Sequence, residues 1–301
     1  MIHIDIGLLI ILITILFIIF ENWLPVNKDQ GLKILFILLI LTVISIILSY
    51  FIHTPVLITI GSLLMYLAFA FGILHSSKVL GNKKTLLFFL LAGSIGLIDE
   101  TLGVIYLNYH YTGSGLLFGL VPLLIPLSWA LFIYVSYTIT NMLLFGFGGE
   151  KPRYQNKLFS LLGLLIVLSA IDGLIAMNFD MIMDPIAVSP LVNGWIWTYG
   201  GPYFGIPLLN FEGWFIVTFI STITFRFYEA FSSKKENPLS KIGWYAYAPA
   251  LYLLFLLQQS VYAIGINHPE YILIGVATMM PFILLPLLLL VIRKHKNVIT
   301  S

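Results

Sequence analysis

Residues 158–178 read Leu-Phe-Ser-Leu-Leu-Gly-Leu-Leu-Ile-Val-Leu-Ser-Ala-Ile-Asp-Gly-Leu-Ile-Ala-Met-Asn, with Asp172 the single charge. About 20 consecutive apolar residues are what a helix needs to cross the hydrocarbon of a bilayer, and this stretch supplies them without a polar face. Working outward, eight more stretches have the same character: 4–20, 32–51, 56–74, 85–107, 116–145, 207–228, 243–264 and 270–292. They fill most of a chain of 301 residues that is 60% apolar and 9% charged, where a soluble domain carries about 25% charged residues. The expected fold class is an all-α polytopic membrane protein, a bundle of about nine transmembrane helices forming one transmembrane domain over 1–301. His3 and Asp5 stand where a signal peptide has its basic region, so the first stretch reads as a retained helix.

The basic residues orient this bundle. Lys28 and Lys33 flank the first connection, Lys78, Lys83 and Lys84 the third, Lys151, Arg153 and Lys157 the fifth, Arg226, Lys234, Lys235 and Lys241 the seventh, and Arg293, Lys294 and Lys296 the tail. Cytoplasmic connections retain Lys and Arg, so the alternation predicts an N-out, C-in protein of the cell membrane. Asp5, Asp99, Glu100, Asp172, Asp180, Asp184, Glu212 and Glu270 fall toward the other, extracytoplasmic side, with no Lys or Arg among them. Carboxyl groups without cations in a low-dielectric setting are expected to include protonated acids near neutral pH.

The outer connection of about 179–206, between the sixth and seventh stretches, is long and carries Trp195, Trp197, Tyr199 and Tyr203 among glycines and prolines. Amphipathic rings suit the lipid–water interface, and the Gly/Pro punctuation suggests a turn or re-entrant hairpin folded over the mouth of the bundle. An aromatic anchor at the interface is the plainer alternative.

Three groups of residues carry possible chemistry. Asp99 and Glu100 lie inside the fourth stretch and point about 100° apart on a helix, so one of them, with Glu100 preferred, faces the interior. Asp180 and Asp184 are spaced to share a helical face, with Asp172 two turns earlier and Pro185 expected to break the helix. Asn210 and Glu212 open the seventh stretch, where an acid near a helix N-terminus stays ionised and serves as a base or cation stabiliser; capping is the simpler role for it.

Other chemistries are disfavoured. Zero cysteines remove disulfides, thiolate ligands and a thiol nucleophile. The six histidines are isolated and offer no di-iron spacing; His110 and His268, on the acidic side, are relay or structural residues. The run Phe145-Gly146-Phe147-Gly148-Gly149 lacks the context of a nucleotide site, and with net charge +2 nothing suggests nucleic acid. A carboxylic acid can protonate an electron-rich alkene to a tertiary carbocation, which ring faces stabilise and water captures. That reaction needs neither cofactor nor metal. A magnesium-dependent prenyltransferase using Asp180 and Asp184 remains an alternative, although the acidic face has no basic residue to hold phosphate. A non-enzymatic lipid-binding protein or transporter is another.

Two segments resemble an integral-membrane carotenoid biosynthesis family that includes bisanhydrobacterioruberin hydratase and the carotene 1'-hydroxylases. One runs Ala170-Ile171-Asp172, Asp184-Pro185, Gly194-Trp195-Ile196-Trp197, Gly201-Pro202-Tyr203-Phe204-Gly205-Ile206-Pro207 and Asn210-Phe211-Glu212-Gly213-Trp214. The other is Glu100-Thr101-Leu102-Gly103-Val104, Tyr109-His110-Tyr111 and Val121 through Trp129. The similarity spans about 95–230 and departs between Gly103 and Tyr109, where the family carries a longer segment. It implies a cofactor-independent carbon–oxygen lyase that adds water to the terminal isopropylidene bond of a long acyclic carotenoid. Asp172, Asp184 and Glu100 are then the candidate acids, with Glu212 a further carboxylate. Trp195, Trp197, Tyr199, Tyr203, Asn210, Trp214, Tyr109, Tyr111 and Trp129 would hold the substrate. The partners implied are the isoprenoid, water, membrane lipid and other membrane enzymes of the same pathway.

Overall fold

The computed structural model describes residues 55–112, 116–145, 157–232 and 246–299, together with 37, 38, 40, 41 and 44. Seven helices emerge: α1 (Pro55–Val79), α2 (Asn82–Tyr106), α3 (Leu124–Phe145), α4 (Leu158–Ala187), α5 (Leu208–Phe231), α6 (Tyr247–Gly265) and α7 (Glu270–Ile299). Each is long and apolar enough to cross a membrane. The chain is therefore a helical, multi-pass membrane protein. Apart from those five positions, the stretches expected at 4–20 and 32–51 lie outside the described residues.

The helices form because every backbone polar group in hydrocarbon must be paired within the chain, and their order is set by which faces can be buried. α3 is the centre. Its residues from Trp129 to Met142 are buried all round, with α1, α2, α4 and α6 packed against it. α4 and α5 form the most extensive pair, and Gly173 leaves room for their contact: a Cβ there would lie 2.8 Å from the Phe215 ring.

Two boundaries differ from the hydropathy reading. The stretch 116–145 does not begin as helix: β2 (Leu116–Leu117) and β3 (Val121–Pro122) pair as a hairpin, turned through Phe118 and Gly119 at positive φ. α4 runs on through Pro185 to Ala187 instead of stopping before it. Proline has no N–H to give the carbonyl four residues back, which here is Met181. That carbonyl receives the Tyr203 hydroxyl at 2.8 Å instead, so the helix continues without an orphaned acceptor.

The outer connection is built differently from a self-contained hairpin. Its strand β4 (Trp195–Trp197) pairs antiparallel with β1 (Tyr109–Tyr111), from the connection after α2, in the register Tyr109↔Trp197, His110↔Ile196 and Tyr111↔Trp195. Alternate strand residues share a face. Tyr109, Tyr111, Trp195 and Trp197 therefore form one side of the ribbon, while His110 and Ile196 are exposed on the other. The Gly/Pro-rich remainder makes a tight turn at Phe204-Gly205, closed by the Tyr203–Ile206 bridge.

Candidate functional site

The ribbon roofs a cavity of about 100 Å³ at the end of the bundle away from Lys78, Lys83, Lys84 and Lys157. Six helices and the ribbon line it. Glu100 comes from α2, Ile125, Ser128, Trp129 and Phe132 from α3, and Phe179, Met183 and Asp184 from α4. Asn210 and Trp214 come from α5, Met65 and Gln259 from α1 and α6, and the four ribbon rings from above. Its volume is roughly two-thirds of the ~150 Å³ that holds a benzene ring. A branched hydrocarbon tip of a few carbons fits; a longer chain must pass out of it.

Glu100 sits under the ribbon as a caged acceptor. The Tyr109 and Tyr111 hydroxyls donate to its Oε2 at 2.5 and 2.6 Å, and the Trp129 indole N–H to its Oε1 at 2.8 Å. Burial and then the Glu100 charge push the Tyr109 and Tyr111 phenols well above their usual range, so both remain donors. Glycines on α2 make room for this: a Cβ at Gly96 would lie 2.5 Å from the Trp129 ring, and one at Gly103 would lie 2.7 Å from Tyr109. Asp99, adjacent in sequence, faces Gly213 of α5 rather than the cavity.

Asp184 lies across the cavity and is wholly buried. Its Oδ1 accepts the Trp195 indole N–H at 2.7 Å. Its Oδ2 accepts one hydrogen of the Asn210 amide at 2.8 Å, while the other goes to Asp180 Oδ2 at 2.6 Å. Asp180 is one helical turn behind Asp184, also wholly buried, and its Oδ1 has no partner among the described residues. Aromatic rings complete the walls: Trp129 and Trp214 stack at 4.0 Å between centroids, Phe132 and Phe179 at 3.9 Å, and Tyr109 lies 4.5 Å from Trp197.

Asp172 stands elsewhere. The expectation that it lacks a cation is overturned by Arg226, whose Nε and Nη2 grip its carboxylate at 2.8–3.0 Å. Arg226 Nη1 also donates to Asn141 Oδ1 at 2.7 Å, and the guanidinium lies 4.4 Å over the Tyr137 ring. Tyr137 in turn donates to Glu229, which pairs with Lys84 at 3.5 Å. Arg226, assigned by the charge pattern to an inner connection, is instead 3% exposed inside the bundle. Apposition of α4 and α5 places its long side chain beside Asp172, which does not line the cavity.

Three other expected residues fall outside the lining. Glu212 is exposed on α5 because it points about 100° away from Phe211 and 200° from Asn210. Tyr199 is 82% exposed at the ribbon's end. Tyr203 ties the connection to α4, and partial burial and then the Asp180 carboxyl push its phenol up to about 12. Neither His110 nor His268 reaches the cavity; His268 pairs with Glu270 at 2.7 Å and stacks on Tyr271. Sequence reasoning passed over Gln259, and the signal was available: a Gln-Gln pair in an otherwise apolar span is costly unless used.

No curated protein and no solved structure matches this chain. The family model described as carotenoid biosynthesis protein does match, over residues 53–282, a range that includes every residue lining the cavity. The chain therefore belongs to the carotenoid biosynthesis protein family.

Proposed function

We propose that this protein is a carotenoid hydratase, adding water across the terminal isopropylidene double bond of a long acyclic carotenoid of the bisanhydrobacterioruberin kind. The observation that carries this reading is the pair of carboxyl groups, Glu100 and Asp184, held by separate sets of donors and facing one small aromatic cavity. Membership of the carotenoid biosynthesis protein family supports a carotenoid as the substrate class.

Asp184 is the acid in this scheme. Its proton adds to the CH carbon of the alkene, and the electron pair of the π bond forms the new C–H bond, leaving a tertiary cation on the dimethyl carbon. The Trp195 and Asn210 N–H groups already point at the carboxylate that results, so little reorganisation accompanies proton loss. Asp180 lies one turn behind Asp184 and shares the Asn210 amide with it, which fixes the orientation of both carboxyl groups. The faces of Trp129, Trp214 and the ribbon rings stabilise the cation. Glu100, bound by three donors, stays an acceptor; it orients the attacking water and takes its proton as the C–O bond forms. The cavity admits the branched tip, and the polyene extends from it into lipid. We place the mouth on the extracytoplasmic face of the cell membrane, opposite the lysine-bearing helix ends.

The same geometry argues against a magnesium–diphosphate site at Asp180 and Asp184, because an amide donor occupies the position between the two carboxylates that a cation would take. The test is expression in a host that makes acyclic carotenoids, with products followed by mass in oxygen-labelled water. Hydroxylated product should carry the label from water, and Asp184→Asn or Glu100→Gln should reduce it about 100-fold or more without loss of folded protein. Label from dioxygen, full activity in both variants, or pigment returned unchanged by the wild type would overturn the reading.

A further inference from the structure

Most polar groups around the cavity are committed to one another: the Tyr109 and Tyr111 hydroxyls and the Trp129 indole to Glu100, the Trp195 indole to Asp184, and the Asn210 amide to both aspartates. Two groups of the lining itself stand apart. Gln259 is 6% exposed and lines the cavity, and it is not among the donors and acceptors that hold Glu100, Asp180 and Asp184. Its neighbour Gln258 turns away, donating to Tyr262 at 3.3 Å. The Trp197 indole N–H is buried and also has no partner among the described residues, although its ring lines the same cavity.

A buried indole N–H without a partner costs free energy, and a carboxamide at the position of Gln259 in a transmembrane helix carries a cost that an apolar residue would not. The pair is therefore shaped for something polar that enters the cavity. Together they offer two kinds of donor, a carboxamide N–H and an indole N–H, and one carbonyl acceptor. That set fits a single neutral oxygen, which presents lone pairs and a hydrogen. It does not fit an anion, for which Glu100 and Asp184 nearby would be repulsive.

We propose that Gln259 and the Trp197 N–H form the oxygen subsite of this cavity, holding the attacking water and then the hydroxyl of the tertiary alcohol. The inference rests on the hydratase reading and deepens it by separating the step that makes the cation from the step that captures it. Protonation uses Asp184; capture uses a water placed by Gln259 and Trp197, with Glu100 removing its proton. The subsite also sets specificity, because a cation formed without a held water loses a proton and reverts to alkene.

That reversal provides the assay. In deuterated water, deuteration of the CH carbon followed by loss of its original hydrogen, or of one from a neighbouring methyl, gives an alkene carrying one deuterium without any capture of water. Recovered substrate and product are both read by mass, for the wild type, Gln259→Met and Trp197→Phe in the full-length chain. Met keeps the length of Gln and removes its polar atoms, while Phe keeps a ring and removes the N–H, so either variant can decide the matter if the other does not fold. The subsite predicts that hydration falls about tenfold or more while deuterium still enters the recovered alkene. Unchanged hydration in both variants overturns the subsite and leaves the hydratase standing. A parallel loss of hydration and exchange also overturns it, since the residues would then act on seating or protonating the alkene. A wild type that neither hydrates nor exchanges any acyclic carotenoid overturns the hydratase itself.

Discussion

Asp172 and Arg226 allow a buried ion pair to be distinguished from a catalytic acid. Asp172 is wholly buried and Arg226 is 3% exposed, with three N–H···O contacts of 2.8–3.0 Å between them. Changing Arg226 to Met leaves the Asp172 carboxylate with no cation in an apolar interior. Removing one partner of such a pair costs about 3–5 kcal/mol, whereas replacing both with apolar residues of similar volume is often close to neutral. At about 2–4 °C per kcal/mol for a chain of this size, Arg226→Met should lower the melting temperature in detergent by on the order of 10 °C. Asp172→Leu alone, which strands the guanidinium, should do the same. The double variant Asp172→Leu/Arg226→Met should return to within a few degrees of wild type and, since neither residue lines the cavity, should retain hydration. The measurement is thermal unfolding followed by intrinsic fluorescence, alongside product formation on the same preparations. A double variant that is stable but makes no hydroxylated carotenoid would refute the reasoning and return Asp172 to the list of acids.

Two further outcomes follow from the ribbon and the α4 terminus. Tyr203→Phe should cost about 1 kcal/mol by orphaning the Met181 carbonyl. That cost should shrink in a Pro185→Ala background, where the backbone N–H is restored; a cycle with no coupling between the two positions would refute the pairing. Burial and the Glu100 charge raise the Tyr109 and Tyr111 phenols, and a group whose pKa is higher in the folded state contributes stability that is complete below its unfolded value, about 10, and is lost as pH rises beyond it. Spectrophotometric titration of native protein should therefore show the same phenolate absorbance near pH ~10 in wild type and in Tyr109→Phe/Tyr111→Phe. A drop in that absorbance would place these hydroxyls in ordinary solvent.

Hydropathy determined the class of this protein, because crossing a bilayer is a property of about 20 contiguous residues and needs no knowledge of neighbours. The seven described helices all coincide with apolar stretches visible in the chain. Local chemistry also marked Glu100, Asp184, Asn210 and the Trp195-Ile196-Trp197 run, since polar or amphipathic groups in such surroundings stand out in one dimension. Tertiary structure alone decided what each of them faces. Asp172 and Asp184 look alike on α4, yet one meets a guanidinium 54 positions away and the other an indole and an amide. Tyr109 and Trp197 belong to different connections and become neighbours only through strand pairing. Gln259 acquires meaning because the α6 face that carries it turns toward the cavity, while that of Gln258 does not. The reason is physical: insertion into lipid depends on summed transfer free energy along one helix, whereas a site depends on which side chains several helices bring to the same few ångströms, and that is set by packing.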